Sequence, residues 1–193
     1  MEHLLTVCLG IGLSAACGFR VFMPLLVMSI ASLAGLLTLS LGFQWIGTYH
    51  ALLVFSTAAV LEIAAYYIPW LDNIMDSIAG PAAILAGILA AASSIIDMDP
   101  LLKWTLAIIA GGGTAAIFHG STTLLRGAST AVTGGIGNHA VATAELCIAV
   151  VLSVLAIALP LLSLAVVLAL GLFFIMKGYR RLVKLRRTEG ASP

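Results

Sequence analysis

The sequence predicts an all-α integral membrane protein of about six transmembrane helices, arranged as two inverted halves with broken or re-entrant segments. Three observations predict this class. Hydrophobic residues fill 62% of 193 positions and charged residues 9%, against about half and about a quarter in a soluble domain. Mean hydropathy is +1.17, and no soluble core of this size needs so much apolar surface. The two halves also share a rhythm: a helix ends at an arginine, an irregular stretch follows, and a glutamate-bearing helix then stops at a proline.

Residues 4–41 are apolar almost throughout, interrupted at CGFRVFMP (Cys17 to Pro24). One straight helix of that length would run about 57 Å, nearly twice a hydrocarbon core of about 30 Å. Gly18, Arg20 and Pro24 therefore mark a break. The first span is Leu4 to Phe19; it reads as a retained helix, with Ala15-Ala16-Cys17 as its only resemblance to a signal-peptide cleavage site. Val21 to Leu41 is either a second full span or a re-entrant hairpin turning near Gly35. LGFQWIGTYH places Trp45 and Tyr49 at headgroup level. Ala51 to Ile68 is a span carrying Glu62 and ending at YYIPW. Leu71 to Pro81 reads as a short amphipathic connector with Asp72 and Asp76 on one face, and Pro81 opens a span reaching Ile96.

DMDP (Asp97 to Pro100) is a clear break, with Asp99 as cap and Pro100 at the first helical position. A helix from Leu101 to about Leu125 follows. GASTAVTGGIGN (Gly127 to Asn138) is then either a cytoplasmic loop or a re-entrant segment lining a cavity, because non-helical backbone at membrane depth survives only inside protein or beside water. Val141 to Leu159 and Leu161 to Met176 complete the spans. The organisation is a first membrane half (1–96), an acidic connector (97–100), a second membrane half (101–177) and a basic tail (178–193).

Six of the nine Lys and Arg residues lie in KGYRRLVKLRR (Lys177 to Arg187), which puts the C-terminus in the cytoplasm. Six crossings then place the N-terminus on the same side and DMDP outside. If Val21 to Leu41 crosses fully, the N-terminus moves outside and the crossings number seven. Counting along the helices puts Glu62 about 10 Å and Glu145 about 8 Å from the cytoplasmic ends of their spans, with His119, Arg126, His139 and the Asp72/Asp76 connector approaching the same level.

Ionisable residues within a membrane cost about 2.5–3.5 kcal/mol each on insertion scales and are functional candidates by default. Arg20, Glu62, Arg126, Asn138 and Glu145 are the primary candidates for substrate binding or coupling, with Asp72, Asp76, His119 and His139 secondary. Glu62 either pairs with a cation as structural glue or takes up a proton. For Glu145 an ion pair with Arg126 is the simpler use. The two aspartates serve equally as a cap or solvated face, and the two histidines as packing groups. A metal held by the histidines and glutamates is a minor alternative, since no compact ligand motif such as H-E-x-x-H is present. The scattered cysteines (Cys8, Cys17, Cys147) read as packing residues. AGGGTAA (Ala110 to Ala116) lacks the lysine of a phosphate loop and suits close helix packing.

GFRVFMPLL, the E…IPWLDNIMD run, the glycine-rich fourth span leading to an arginine, and the N…E…P pattern resemble a bacterial membrane family catalogued as a domain of unknown function, number 4126. The resemblance covers roughly residues 5–170. It implies the membrane architecture and the importance of Arg20, Glu62, Asp72, Asp76, Arg126 and Glu145, and brings no established activity. The family pattern has a lysine four residues before the second arginine and an acidic pair at the start of the fifth helix. Thr122 and Glu145-Leu146 stand there in this chain, which implies an altered selectivity.

The expected function is transport or flipping of a small or lipid-linked anionic solute in the bacterial inner membrane, with the arginines holding the anion and Glu62 and Glu145 coupling protons or balancing charge. A membrane-embedded enzyme with a metal or carboxylate site, or a structural or assembly protein, are the alternatives. No cofactor is expected. Expected partners are the lipid bilayer and a small-molecule or lipid solute, not nucleic acid, with homo-oligomerisation left open.

Overall fold

The computed structural model describes the backbone of residues 2–189 and the side chains of residues 2–68, 75 and 78–176. The described chain is helical, with no strand among the described residues. Its helices are α1 (Glu2–Phe19), α2 (Phe22–Leu33), α3 (Tyr49–Tyr66), α4 (Pro69–Ser94), α5 (Pro100–Leu106), α6 (Gly113–Thr133), α7 (Asn138–Ala158) and α8 (Pro160–Glu189). A π-helical segment, Ala107–Gly112, joins α5 to α6 in one 34-residue rod. Four segments are long and apolar enough to cross a membrane: Glu2–Phe19, Tyr49–Tyr66, Pro100–Thr133 and Asn138–Ala158. Phe22–Leu33, Ile78–Ser94 and Pro160–Met176 are apolar but shorter. These helices mark the chain as a membrane protein.

α1 is the axis of the bundle, and small residues let its neighbours close on it. Three helices cross where each offers a pair of small residues four apart: Gly10 and Ser14 on α1, Gly87 and Ala91 on α4, Gly111 and Ala115 along the π–α6 rod. Ser14 Oγ donates to the Gly87 carbonyl at 2.7 Å. A Cβ on Gly87 would stand 2.6 Å from the Ala115 Cβ, and one on Gly111 2.7 Å from the Ala91 Cβ. Without a hydrophobic drive between helices in lipid, such close backbone approach supplies the association energy. The large aliphatic side chains face outward instead, Leu53, Leu61, Leu85, Ile109, Leu124 and Val151 being exposed.

The contacts of α1 set the directions of α4, α6 and α7. Gly10 meets Ala91 and Ser14 meets Gly87, so α4 is antiparallel to α1. Ser14 meets Gly111 and Gly18 meets Ala115, so α6 is parallel. Gly12 meets Ala156 and Arg20 meets Ala142, so α7 is antiparallel. At Arg20 the chain reverses. α2 runs back beside α3, from Glu62 at its start to Gly47, which packs against Ser32 at its end. The N-terminus, the 34–48 connector and the 95–99 loop therefore share one face of the bundle. Tyr67-Ile68 and the Gly134–Gly137 turn lie on the other. Residues 21–41 return to the starting face, Ser40 N bonding the Ser93 carbonyl at 2.8 Å, through a 12-residue helix shorter than a full span and a turn at Gly35. α1 accordingly begins on the face that carries DMDP, as in the seven-pass alternative.

Inverted halves would run corresponding helices in opposite directions. The glutamate-bearing α3 and α7 do so, but the arginine-bearing α1 and α6 run the same way.

Two boundaries also differ from expectation. Gly127 to Asn138 is neither loop nor re-entrant: α6 continues to Thr133, only 134–137 turn, and α7 begins at Asn138. The hydroxyls that suggested a break are satisfied within the helix, Thr130 donating to the Arg126 carbonyl at 3.0 Å and Thr133 to the Ser129 carbonyl at 2.7 Å. The reversal falls at Gly134 and Gly135, whose φ of +63° and +96° suit residues without a side chain. Pro81 begins no helix but lies inside α4, since a proline removes one backbone donor without ending a helix held by its neighbours. Asp99 behaves as expected and accepts from the amide of Leu101 at 2.9 Å.

Candidate functional site

The break at Arg20 leaves the first backbone N–H groups of α2 without partners inside their own helix. Glu62 of α3 supplies them: its two carboxylate oxygens accept from Val21 N at 2.8 Å and Phe22 N at 3.0 Å. A carboxylate at a helix N-terminus is also favoured by the helix dipole. Glu62 is buried. Its bonding partner is thus backbone, where the sequence suggested an arginine or a proton.

Two guanidinium groups converge beside this cap. Arg126 of α6 binds Glu145 of α7 through two of its nitrogens, Nε to Oε1 at 3.0 Å and Nη2 to Oε2. Arg20 Nη2 lies 3.7 Å from the same Oε2 and donates to the Ala142 carbonyl at 2.8 Å. Both guanidinium carbons sit over the Tyr66 ring, at 3.9 Å and 4.0 Å from its centre, so an aromatic face adds cation–π attraction where water is excluded. Arg20 is 2% exposed, Arg126 4% and Glu145 3%. Nε and Nη1 of Arg20 have no hydrogen-bond partner among the described residues.

A groove of 510 Å³ opens between α6, α7 and α8 beside this cluster. Glu145 forms part of its wall with Thr122, Ser129 and Thr133, and the rest is apolar, including Phe19, Ile148 and Phe174. A second groove of 360 Å³, between α2 and α7 at Ile30 and Val154, is distant from the charges.

Glu62, Arg126 and Glu145 therefore come to one level as their depths along the helices expected, and Arg20, which six crossings would leave at the opposite end of its span, joins them. Asn138 does not join them through its amide donor, which binds the Thr130 hydroxyl at 3.0 Å. His139 packs on the Tyr67 ring at 5.6 Å, and His119 lies within 3.5 Å of the Thr123 hydroxyl and beside Gly80. Among the described residues no three His, Cys, Asp or Glu side chains form a metal-ligating group. The side chains of Asp72, Asp76 and the basic tail lie outside the described residues. Sequence reasoning missed Tyr66 and the Ala142 carbonyl. An aromatic at the end of a charged span was a usable signal for the first; a backbone carbonyl leaves none.

A bundle of apolar helices around two buried arginines and two buried glutamates defines a polytopic membrane protein with a charged interior. The chain belongs to the family described as Domain of unknown function (DUF4126), whose model matches residues 7–180. No curated protein and no solved structure matches it.

Proposed function

We propose that this protein binds and moves a small or lipid-linked anionic solute across the bacterial inner membrane, with its C-terminus in the cytoplasm. One observation carries the reading: Arg20 is 2% exposed, yet its Nε and Nη1 have no acceptor among the described residues. An unsatisfied buried donor costs about 1–3 kcal/mol, more when charged. A cation held at that cost in a membrane interior is suited to receiving an anion. Arg126 and the Tyr66 ring supply the second cation and the stacking face. Glu62 and Glu145 balance the charge.

The test is reconstitution into liposomes, assayed for sulfate efflux and for translocation of a fluorescent phosphatidylglycerol. The expected result is a rate above that of empty liposomes for one of the two probes, lost in Arg20→Met. Rates equal to empty liposomes for both probes would sink transport.

A scaffold or assembly role is the second reading, favoured by the direct Arg126–Glu145 pair. In that case Arg20→Met lowers thermal stability and changes nothing else.

A further inference from the structure

We infer that Glu145 is the resident anion of the two-arginine site, displaced into the adjoining groove as one proton is taken up when a tetrahedral oxyanion binds. This rests on the anion reading above and adds how the site opens. Two arginines meet one carboxylate oxygen, Arg126 through an ion pair and Arg20 at 3.7 Å. One carboxylate leaves Arg20 Nε and Nη1 unmet. A phosphate or sulfate group, with more oxygens, serves both guanidinium groups together.

The groove determines the state of the displaced side chain. Glu145 already borders it. Thr122 and Thr133 on its wall donate their hydroxyl hydrogens to the His119 and Ser129 carbonyls, so each can accept from a carboxylic acid O–H but has no hydrogen to offer a carboxylate. Ser129 is the remaining hydroxyl on that wall. A charge moved from two guanidinium groups to a wall offering one neutral hydroxyl is strongly disfavoured. Glu145 therefore enters the groove as the neutral acid, its proton coming from water, and the incoming anion replaces its charge beside the arginines.

The titratable and charged groups facing Glu145 are Arg20 from α1 and Arg126 from α6. From α3, Tyr66 lies over both arginines and Glu62 within electrostatic reach of them. α8 brings Phe174 to the groove, which does not titrate. His139, one helical turn and a half earlier on α7, is held by Tyr67. The Asp72 and Asp76 side chains of α4 lie outside the described residues.

The full-length purified protein is titrated with sodium sulfate in detergent, and separately with phosphatidylglycerol in nanodiscs, at several pH values. Neither probe titrates in the neutral range. The expected result for the accepted probe is an affinity rising up to about tenfold per pH unit lowered, with that slope lost in Glu145→Gln. Response to sulfate identifies a soluble anion, and response to the lipid alone a headgroup. If Glu145→Gln keeps the wild-type slope, displacement is overturned while the anion reading stands. Failure of both probes on wild-type protein, with Arg20→Met indistinguishable, overturns both. Should Glu145→Gln not fold, infrared difference spectra of the wild type decide: a protonated-carboxyl band appearing on anion addition supports displacement, and its absence overturns it.

Discussion

Glu62 holds Val21 across the helix break, accepting its amide at 2.8 Å while the second oxygen takes Phe22. One side chain on α3 thereby secures the start of α2, the point where the chain reverses direction inside the bundle.

Glu62→Ala removes both acceptors and leaves two buried donors unmet. At about 1.5–3 kcal/mol for a hydrogen bond to a charged group, a loss of about 3 kcal/mol is expected in denaturation of the detergent-solubilised protein. Glu62→Gln keeps one oxygen acceptor and loses less. An alanine variant that unfolds like wild type would show that the cap contributes nothing.

The Arg126–Glu145 pair calls for a double-mutant cycle. Arg126→Met alone leaves the buried carboxylate with only the 3.7 Å contact to Arg20, at up to about 3–5 kcal/mol. Adding Glu145→Gln removes that charge, so the double variant is expected to be more stable than the sum of the singles predicts. Strict additivity would mean that the two groups do not interact.

Glycine substitutions separate packing from propensity. Gly87→Val drives a side chain into Ala115 and the Gly111 carbonyl and is expected to prevent the three-helix crossing, seen as loss of a monodisperse species. Gly120→Ala and Gly127→Ala meet nothing within 4 Å, and each is expected to stabilise by up to about 1 kcal/mol as a helix-interior replacement. Destabilisation by Gly127→Ala would instead return that segment to a loop.

The reversal at Arg20 has a topological consequence. Single cysteines placed at 2, 98 and 136 in a cysteine-free background are expected to be labelled by a membrane-impermeant reagent from one side for the first two and from the opposite side for the third. Labelling of 2 and 136 from the same side would exclude the fold-back of α2.

Much of this was legible along the chain. Hydropathy is a sum over local residues, so the membrane class, the breaks at Arg20, Pro69, Asp97–Pro100 and Pro160, and the costly ions inside spans follow from the sequence alone. Spacing from helix ends was enough to bring Glu62, Glu145 and Arg126 to one depth, but with six crossings it left Arg20 at the other end of its span. Depth, however, says nothing of azimuth or partner. Only the packing of α3 against the break turned Glu62 toward two backbone amides. Only the parallel course of α1 and α6 aimed both arginines at one carboxylate and one Tyr66 ring. Helical continuity through Gly127 was equally out of reach, because hydroxyls that signal a turn can as readily bond the carbonyl one turn earlier in a continuous helix. Composition set the medium and the ions; the directions in which helices pass one another decided which of those ions meet.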